Sequence, residues 1–222
     1  MNLVGRNHEA KRFSLEKLAH FTSGNTHWVS VNDLEIDSRK IMPGNAFIAV
    51  QGLSHDGRKF IKEAAKRGAA AVLLEPWPDR PESFGIPLVE IPNLKACLGS
   101  VAATFYNNPS EHIHMIGVTG TNGKTTTTHL IRQIANELGR ISGVMGTLGS
   151  FSELDVQVHT TTTPDAVTIQ RTFSEWRDSG VELAAMEVSS HALEFGRVDG
   201  TQFDTAVFTN LSPDHLDFHK NM

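Results

Sequence analysis

The stretch His114-Met-Ile-Gly-Val-Thr-Gly-Thr-Asn-Gly-Lys-Thr-Thr-Thr-Thr128 decides the fold of the larger part of this chain. Its apolar start predicts a buried strand over 113–118, and a helix over 123–138 follows the glycine-rich turn. Glycines let backbone N–H groups approach an anion closely, and a helix N-terminus favours negative charge. The stretch therefore predicts a loop that holds phosphates. Lys124 can reach the β- and γ-phosphates, and the Thr125 hydroxyl can ligate Mg²⁺.

Strands and helices alternate on both sides of this loop. The pattern predicts helices over 93–106 and 165–178, and strands over 141–145, 182–188 and 203–209. Such alternation is typical of a doubly wound, largely parallel sheet. The expected fold class is α/β, in which a small N-terminal α/β domain precedes the phosphate-loop domain.

The N-terminal part shows weaker patterns. They predict helices over 13–21 and 57–67, capped by Ser14 and Asp56, and strands over 29–37, 46–50 and 69–74; Gly68 follows the second helix. Five prolines between residues 75 and 92 exclude a continuous helix or a central strand. A domain boundary near residue 90 is therefore expected, giving domains 1–90 and 91–222.

Composition excludes several classes of protein. The chain has 222 residues, 39% of them hydrophobic and 20% charged, and a formal net charge of -5 without a long basic run. Nucleic-acid binding is therefore not expected as its main activity. One cysteine, Cys97, rules out a disulfide framework. Neither a membrane-length apolar run nor a signal peptide is evident, so a cytoplasmic location without membrane contact is expected.

Acidic and histidine residues follow two of the predicted strands. Glu187 ends the strand at 182–188, where open α/β sheets place their ligands, and its carboxylate suits Mg²⁺. Three histidines, His191, His215 and His219, raise the alternative of a zinc cluster. Their spacing matches no common zinc pattern and no cysteine assists, which disfavours zinc.

Two further segments have ordinary structural interpretations. Thr163 is placed to cap the helix at 165–178, with Pro164 at its first position. Asp37, Ser38 and Arg39 form a strand end and a charged turn, to which the residues alone assign no function.

The loop departs from the general phosphate-loop pattern, because Val118 stands five residues before Gly123 where that pattern has glycine. Gly120-Thr-Asn-Gly-Lys-Thr125 instead resembles the signature of the Mur ligases. The related folylpolyglutamate synthetases follow the lysine with glycine and serine, whereas here two threonines follow it. The blocks at 34–61, 185–193 and 208–219 resemble the same family, in particular the ligases that add the third amino acid to UDP-MurNAc-L-Ala-D-Glu.

The resemblance implies a role for individual residues. The expected ATP-binding residues are Gly120, Thr121, Asn122, Gly123, Lys124, Thr125 and Thr126. The expected catalytic residues are Lys124, Glu187 and His215, and the expected metal ligands are Thr125, Glu187 and His215. The expected substrate-binding residues are Ser38, Arg39, Thr162, Thr163, Ser189 and Arg197. Asn210 and Asp214 belong to the same motif as His215.

The activity that this resemblance implies is ATP-dependent amide formation during cytoplasmic peptidoglycan precursor synthesis. A substrate carboxylate would attack the γ-phosphate of ATP to give an acyl phosphate, with Mg²⁺ neutralising charge, and an amine would then displace phosphate. The implied partners are UDP-MurNAc-L-Ala-D-Glu, ATP and an amino acid. The sequence does not choose between meso-diaminopimelate and L-lysine as that amino acid.

The resemblance covers the first family domain and about half of the second. The family's carbamylated lysine, which bridges the metal site, has no counterpart, because Lys220 comes too early in the motif. The C-terminal, amino-acid-binding domain is also absent from the 222 residues. We therefore expect no turnover by this chain alone, and the alternative function is non-catalytic binding of a UDP-MurNAc-peptide and nucleotide. An unrelated kinase or GTPase is disfavoured, because it would leave the blocks at 34–61 and 185–219 unexplained.

Overall fold

The computed structural model describes residues 12–22, 29–52, 55–79, 83–153, 156–158 and 161–219. The chain divides into two compact units, residues 1–97 and 98–222. The division falls inside a helix, Leu94–Phe105, whereas the prolines predict a domain boundary near residue 90. The start of this helix belongs with the first unit, since the Lys95 amide donates to the Glu75 carboxylate at 3.2 Å. Lys220 lies outside the described residues.

The first unit is built on a small parallel sheet. In the described residues before Leu94, its strands and α-helix are β1 (Phe13–Ser14), β2 (Ser30–Val31), β3 (Leu34–Glu35), β4 (Ala46–Ala49), α1 (Ile61–Lys66), β5 (Ala71–Leu74) and β6 (Leu88–Glu90). Short 3₁₀ helices span Leu15–Phe21, Ser38–Lys40 and Gly57–Phe60. The sheet order is β3-β4-β5-β6 with every pair parallel, and β1 pairs with β2 antiparallel.

Side chains from β4, α1 and β5 form the core of this unit. Phe47, Ile61 and Val72 are among its almost fully buried members. Burying each large apolar side chain contributes about 1.5–3 kcal/mol, which holds α1 against the sheet. The Ser38–Lys40 turn follows β3 directly, so the fold of this sheet sets the position of the charged turn.

Several predictions for the first unit are confirmed and others are wrong in detail. Ser14 and Asp56 cap as predicted, because their side chains accept from the Glu16 and Arg58 amides, but both cap 3₁₀ helices. The predicted strand at 29–37 is two short strands, since residues 32–33 lie between β2 and β3. The strand β6 was not predicted within the proline-rich segment, and it stands at the sheet edge where proline is tolerated.

The second unit contains a larger, mixed sheet. Its elements after α2 (Leu94–Phe105) are β7 (His114–Thr119), α3 (Lys124–Glu137), β8 (Ser142–Gly146), β9 (Gly149–Phe151), β10 (Val156–Gln157), α4 (Ala166–Asp178), β11 (Leu183–Glu187), α5 (Ser190–Glu194), β12 (Thr205–Phe208) and α6 (Leu216–His219). A 3₁₀ helix spans Pro109–His112. The sheet order is β10-β9-β8-β11-β7-β12. The strands β8, β11, β7 and β12 are parallel, whereas β9 and β10 extend the sheet as antiparallel strands.

Helices cover both faces of this sheet. Met145 and Met186 point from their strands into a buried cluster with Phe173 and Trp176 of α4. Successive residues of a strand point to opposite faces, so Ser142 of β8 points away from Met145. On that second face the Ser142 hydroxyl lies 3.3 Å from the Arg132 carbonyl oxygen of α3. The predicted doubly wound α/β class is therefore confirmed.

Sequence patterns missed several elements of the second unit. The strands β9 and β10 are too short for a clear alternation, and α5 has only five residues. Thr163 does not cap α4: the Asp165 side chain accepts from the Thr168 amide instead, and Pro164 precedes the helix. None of the helices in the described part of the chain combines the length and apolarity that crossing a bilayer requires.

Candidate functional site

The glycine-rich loop between β7 and α3 has the backbone that its sequence predicts. Gly120 and Gly123 have φ angles of 130° and 87°, in the region that favours glycine. A Cβ atom at Gly120 would also collide with Thr209 and Asn210. Glycine is therefore required at position 120 for both its conformation and its close packing.

Residues that follow β12 hold this loop. The Asn122 amide donates to the Asn210 Oδ1 at 3.1 Å, and the Asn210 Nδ2 donates back to the Asn122 carbonyl at 3.0 Å. The Thr209 hydroxyl donates to the same carbonyl at 2.7 Å, and the Thr121 amide donates to the Asn210 carbonyl at 3.0 Å. The Thr121 hydroxyl also donates to the Ser212 carbonyl at 3.1 Å, so several hydrogen bonds connect the loop to the segment that leads to His215.

The N-terminus of α3 is available to an anion. Within the described residues no side chain caps this helix, which begins at Lys124 after Gly123. The first N–H groups of a helix lack intrahelical acceptors and favour negative charge. The Lys124 Nζ donates to the Gly120 carbonyl at 2.7 Å and to the Thr121 carbonyl at 3.1 Å, so its charge lies over the loop. Thr126 is exposed in the same first turn.

Glu187 is a buried carboxylate beside this helix terminus. Only 1% of the residue is exposed. The Thr125 hydroxyl donates to Oε2 at 2.9 Å, the Thr147 amide donates to Oε1 at 2.9 Å, and the Thr147 hydroxyl lies 3.2 Å from Oε2. Gly146 leaves space for the carboxylate, because a Cβ atom there would overlap it.

This arrangement fits a hard divalent cation. Thr125 and Glu187 offer hydroxyl and carboxylate oxygens side by side, the ligand types that Mg²⁺ prefers. His215 lies elsewhere in the site, with its Nε2 3.7 Å from Asp214 Oδ2 and its ring centroid 4.7 Å from that of His191. Among the residues with described placement, no three His, Cys, Asp or Glu side chains gather as a metal-binding group.

Three predicted substrate-binding residues meet around Thr163. Its hydroxyl donates to the Glu187 carbonyl at 2.8 Å and accepts from the Ser189 amide at 3.1 Å. Its carbonyl accepts from Arg197 Nη1 at 2.9 Å. Thr162, the neighbouring residue, contacts the Thr147 hydroxyl at 3.1 Å. The Ser189 side chain also caps α5 by accepting from the Ala192 amide at 3.2 Å.

A pocket of about 450 Å³ opens beside the loop in the second unit. Lys124, Ser189 and His215 line it together with Gly120 and Thr121. Ligand pockets commonly have volumes of about 300–1,000 Å³. The structure therefore brings one predicted substrate residue and one predicted metal ligand to the same cavity as the phosphate loop.

Ser38 and Arg39 lie in the first unit and have local partners. Ser38 is buried, and its hydroxyl donates to Glu63 at 3.4 Å. Two N–H groups of Arg39 donate to the Asp37 carboxylate at 2.9 and 2.8 Å. These hydrogen bonds lower the pKa of the Asp37 carboxyl below its ordinary value. The Arg39 side chain remains 79% exposed.

Sequence reasoning missed Thr147 and Thr209. Each follows or ends a parallel strand at its carboxyl end, Thr147 after β8 and Thr209 after β12. The rule that open α/β sheets bind ligands at this edge could have identified both. Thr209 lies in the 208–219 block, where the sequence patterns predicted no role for it, and Thr147 lies outside every block that resembles the family.

Two protein-family models match parts of this chain. Residues 30–106 match the model of the Mur ligase family, catalytic domain, and residues 118–222 match that of the Mur ligase middle domain. The UDP-N-acetylmuramoyl-L-alanyl-D-glutamate–2,6-diaminopimelate ligase of Geobacillus thermodenitrificans is 47% identical over 189 residues, or 85% of this chain and 38% of the relative. The ligase of the same name from Coxiella burnetii is 47% identical over 195 residues, or 87% and 40%.

A solved structure has a similar fold. A 2,6-diaminopimelate ligase of the same name superposes with a TM-score of 0.75 at 30% identity, covering 93% of this chain and 42% of that one. The chain thus spans well under half the length of the curated relatives that it matches. Two family models together account for most of its residues, and this chain therefore belongs to the Mur ligase family.

Proposed function

We propose that this chain provides the nucleotide-binding and UDP-sugar-peptide-binding part of an ATP-dependent ligase that adds 2,6-diaminopimelate to UDP-MurNAc-L-Ala-D-Glu. The names of the two similar curated ligases support this choice of substrate and amino acid. The resemblance of Ser189 and Arg197 to the substrate-contacting pair of ligases that add the third amino acid supports the choice of substrate. The sequence alone leaves diaminopimelate and lysine open as the added amino acid, and we propose diaminopimelate.

The observation that carries the proposal is the contact between Thr125 and Glu187. A phosphate loop alone fits many nucleotide-binding proteins. Here its threonine donates at 2.9 Å to a carboxylate that is 1% exposed, next to the Thr163 segment. One buried group therefore adjoins both the nucleotide side and the predicted substrate side of the site.

Phosphoryl transfer depends on positioning and on neutralisation of charge. In the proposed reaction the D-Glu carboxylate attacks the γ-phosphate of ATP and ADP leaves. The amine then attacks the carbonyl carbon of the acyl phosphate and displaces phosphate. Lys124 would leave the loop carbonyls that it now contacts and turn toward the β- and γ-phosphates. Arg197 would keep one N–H on the Thr163 carbonyl and present the others to a substrate carboxylate.

Thr125 and Glu187 would hold Mg²⁺, and His215 is the proposed ligand of a second ion. The bound ions would neutralise charge on the phosphates. Burial among hydroxyl and amide donors fixes the orientation of the Glu187 carboxylate, so little reorganisation is needed. Asn210 and Thr209 would hold the loop amides in place while the phosphates bind.

The test is calorimetry on the 222-residue protein with β,γ-methylene-ATP, measured with and without Mg²⁺. We expect Mg²⁺ to strengthen nucleotide binding in the parent and to have no effect in Glu187→Gln, which keeps the shape of the side chain but removes its charge. Glu194→Gln is the matched control, because Glu194 is an exposed glutamate in the neighbouring helix α5. Its nucleotide affinity should retain the full Mg²⁺ dependence.

A second titration uses UDP-MurNAc-L-Ala-D-Glu, with UDP-glucose for comparison. Saturable binding of the muramoyl dipeptide, tighter than binding of UDP-glucose, supports the substrate assignment. Equal binding of both ligands would reduce the site to a general UDP-sugar site. An unchanged Mg²⁺ response in Glu187→Gln would remove Glu187 from the proposed metal site.

A further inference from the structure

Thr147 is the residue through which the Glu187 carboxylate contacts the predicted substrate segment. It follows β8, and its amide and hydroxyl meet the two carboxylate oxygens at 2.9 and 3.2 Å. The same hydroxyl lies 3.1 Å from the Thr162 hydroxyl. A short chain of hydrogen-bonding groups therefore runs from Thr125 through Glu187 and Thr147 to Thr162.

The Thr147 hydroxyl has one proton and two possible acceptors. When it donates to Glu187, the Thr162 hydroxyl must supply the proton for the contact between the two threonines. When it turns toward Thr162, the Thr162 proton becomes available to another acceptor. The direction of this single proton thus decides whether Thr162 can donate outward.

The carboxylate controls that direction through the same oxygen. Thr125 and Thr147 both approach Oε2 of Glu187, at 2.9 and 3.2 Å. If Thr125 and Glu187 held a cation, the carboxylate would be a weaker acceptor for Thr147, whose proton would be better placed on Thr162. Thr162 could then donate to an anionic group of the substrate.

We propose that Thr147 is a positioning residue that couples nucleotide binding to substrate binding through Thr162. The inference rests on the proposed function, since it takes the Thr125 side as the nucleotide site and Thr162 as part of the substrate site. The expected coupling is positive, and by linkage each ligand strengthens binding of the other by the same factor.

A second connection exists but does not respond to the carboxylate. The Thr163 hydroxyl donates to the backbone carbonyl of Glu187 at 2.8 Å. That carbonyl belongs to the backbone of β11 rather than to the carboxylate, so we expect this bond to anchor the segment independently of a bound cation. Thr147 is exposed and contacts the carboxylate itself, which makes it the part of the connection that can be altered without disturbing the core.

The experiment is a binding cycle on the 222-residue protein. The Kd of UDP-MurNAc-L-Ala-D-Glu is measured by calorimetry alone and with saturating β,γ-methylene-ATP and Mg²⁺. In the parent we expect the nucleotide to tighten substrate binding at least about fivefold, the lower end of typical coupling between sites. In Thr147→Val, which keeps the amide and the shape but lacks the hydroxyl, the factor should fall below about twofold.

Thr147→Ser is the conservative variant and should restore the coupling factor of the parent. Loss of coupling in both variants would point to packing of the threonine methyl group and would overturn the hydroxyl mechanism. A parent that binds each ligand without coupling, or a valine variant that keeps full coupling, would also overturn it while leaving the proposed function intact. If the parent binds neither ligand, the proposed function fails and the inference falls with it.

Discussion

The phosphate loop and the Asp37–Arg39 turn are two charged turns at strand ends, but they are held in different ways. The loop is bound by residues about 90 positions away in sequence, Thr209 and Asn210, through several hydrogen bonds. In the Asp37–Arg39 turn, Asp37 caps the 3₁₀ helix and pairs with Arg39. The Ser38 hydroxyl also donates to Glu63 at 3.4 Å, and Arg67 donates to the Arg39 carbonyl at 3.1 Å. Distant contacts fix the backbone of the loop, whereas the two charged side chains of the turn pair with each other.

This difference bears on how each turn can act on a ligand. A loop fixed by distant contacts keeps its amides aligned before an anion arrives, which lowers the cost of binding. The Arg39 guanidinium already has a carboxylate partner and must share or leave it to bind another group. We therefore expect substitutions in the second unit to weaken ligand binding more than substitutions at Arg39.

The largest effect is expected for Lys124→Ala. This change removes the positive charge that lies over the loop, and with it the charge-assisted hydrogen bonds to bound phosphates. Affinity for β,γ-methylene-ATP should fall about 100-fold, which corresponds to roughly 2.7 kcal/mol. Calorimetry measures the loss directly.

Lys66→Ala serves as the control for Lys124→Ala. Lys66 is an exposed lysine at the end of α1 in the first unit, and its loss changes net charge equally. Its nucleotide affinity should match that of the parent. Full ATP-analogue binding by Lys124→Ala would show that the phosphates bind somewhere other than this loop.

Arg197→Ala should produce the next largest effect, on the substrate rather than the nucleotide. The variant loses both a partner for a substrate carboxylate and the support of the Thr163 carbonyl. We expect affinity for UDP-MurNAc-L-Ala-D-Glu to fall at least about tenfold, or roughly 1.4 kcal/mol.

Arg39→Ala gives the direct comparison between the two regions. Because Arg39 is exposed and paired with Asp37, its removal should weaken substrate binding less than Arg197→Ala does. Equal losses of substrate affinity in Arg39→Ala and Arg197→Ala would contradict the proposed difference between the two regions. They would mean that Arg39 exchanges Asp37 for the substrate at little cost in free energy.

Asn210→Ala tests whether distant contacts fix the phosphate loop. The change removes two hydrogen bonds to the Asn122 backbone without touching the phosphates. Both groups are near solvent and can bind water instead, so a loss of about fivefold in nucleotide affinity is expected, equivalent to about 1 kcal/mol. Unchanged affinity would show that Thr209 and the backbone contacts suffice to hold the loop.

The sequence was sufficient to predict the α/β class, the order of the principal helices and strands, and the loop, because each depends on local pattern. The contact between Thr125 and Glu187 joins positions 62 residues apart, and the strand-end rule and the family resemblance, rather than any local pattern, suggested that they would meet. Thr147 carries no charge and follows an ordinary strand, so its role became visible only when β8 was placed beside β11. Thr163 was misassigned because Asp165, two residues later, is the stronger capping side chain.

The smallest effect is expected at a second Asp-x-Arg turn in the first unit. Arg58 donates to Asp56 at 2.9 and 2.7 Å, as Arg39 does to Asp37, but it also lies 5.0 Å from the Trp77 ring and is 34% exposed. The Arg58 hydrogen bonds lower the pKa of Asp56 below its ordinary value. This pair should therefore contribute to stability more than the exposed pair at Arg39.

Arg58→Met keeps an apolar side chain near Trp77 and removes the charge. At pH 7 the free energy of unfolding should fall by about 0.5 kcal/mol, since a partly exposed ion pair contributes little. A carboxyl whose folded pKa is depressed stabilises fully above its unfolded pKa of about 3.9, and this contribution is lost as pH falls through the folded pKa. Urea unfolding followed by circular dichroism should thus show a difference between parent and variant at pH 7 that shrinks below about pH 3.9. If the difference in the free energy of unfolding is the same at pH 7 and below about pH 3.9, packing on Trp77 rather than charge pairing distinguishes this turn from the one at Arg39.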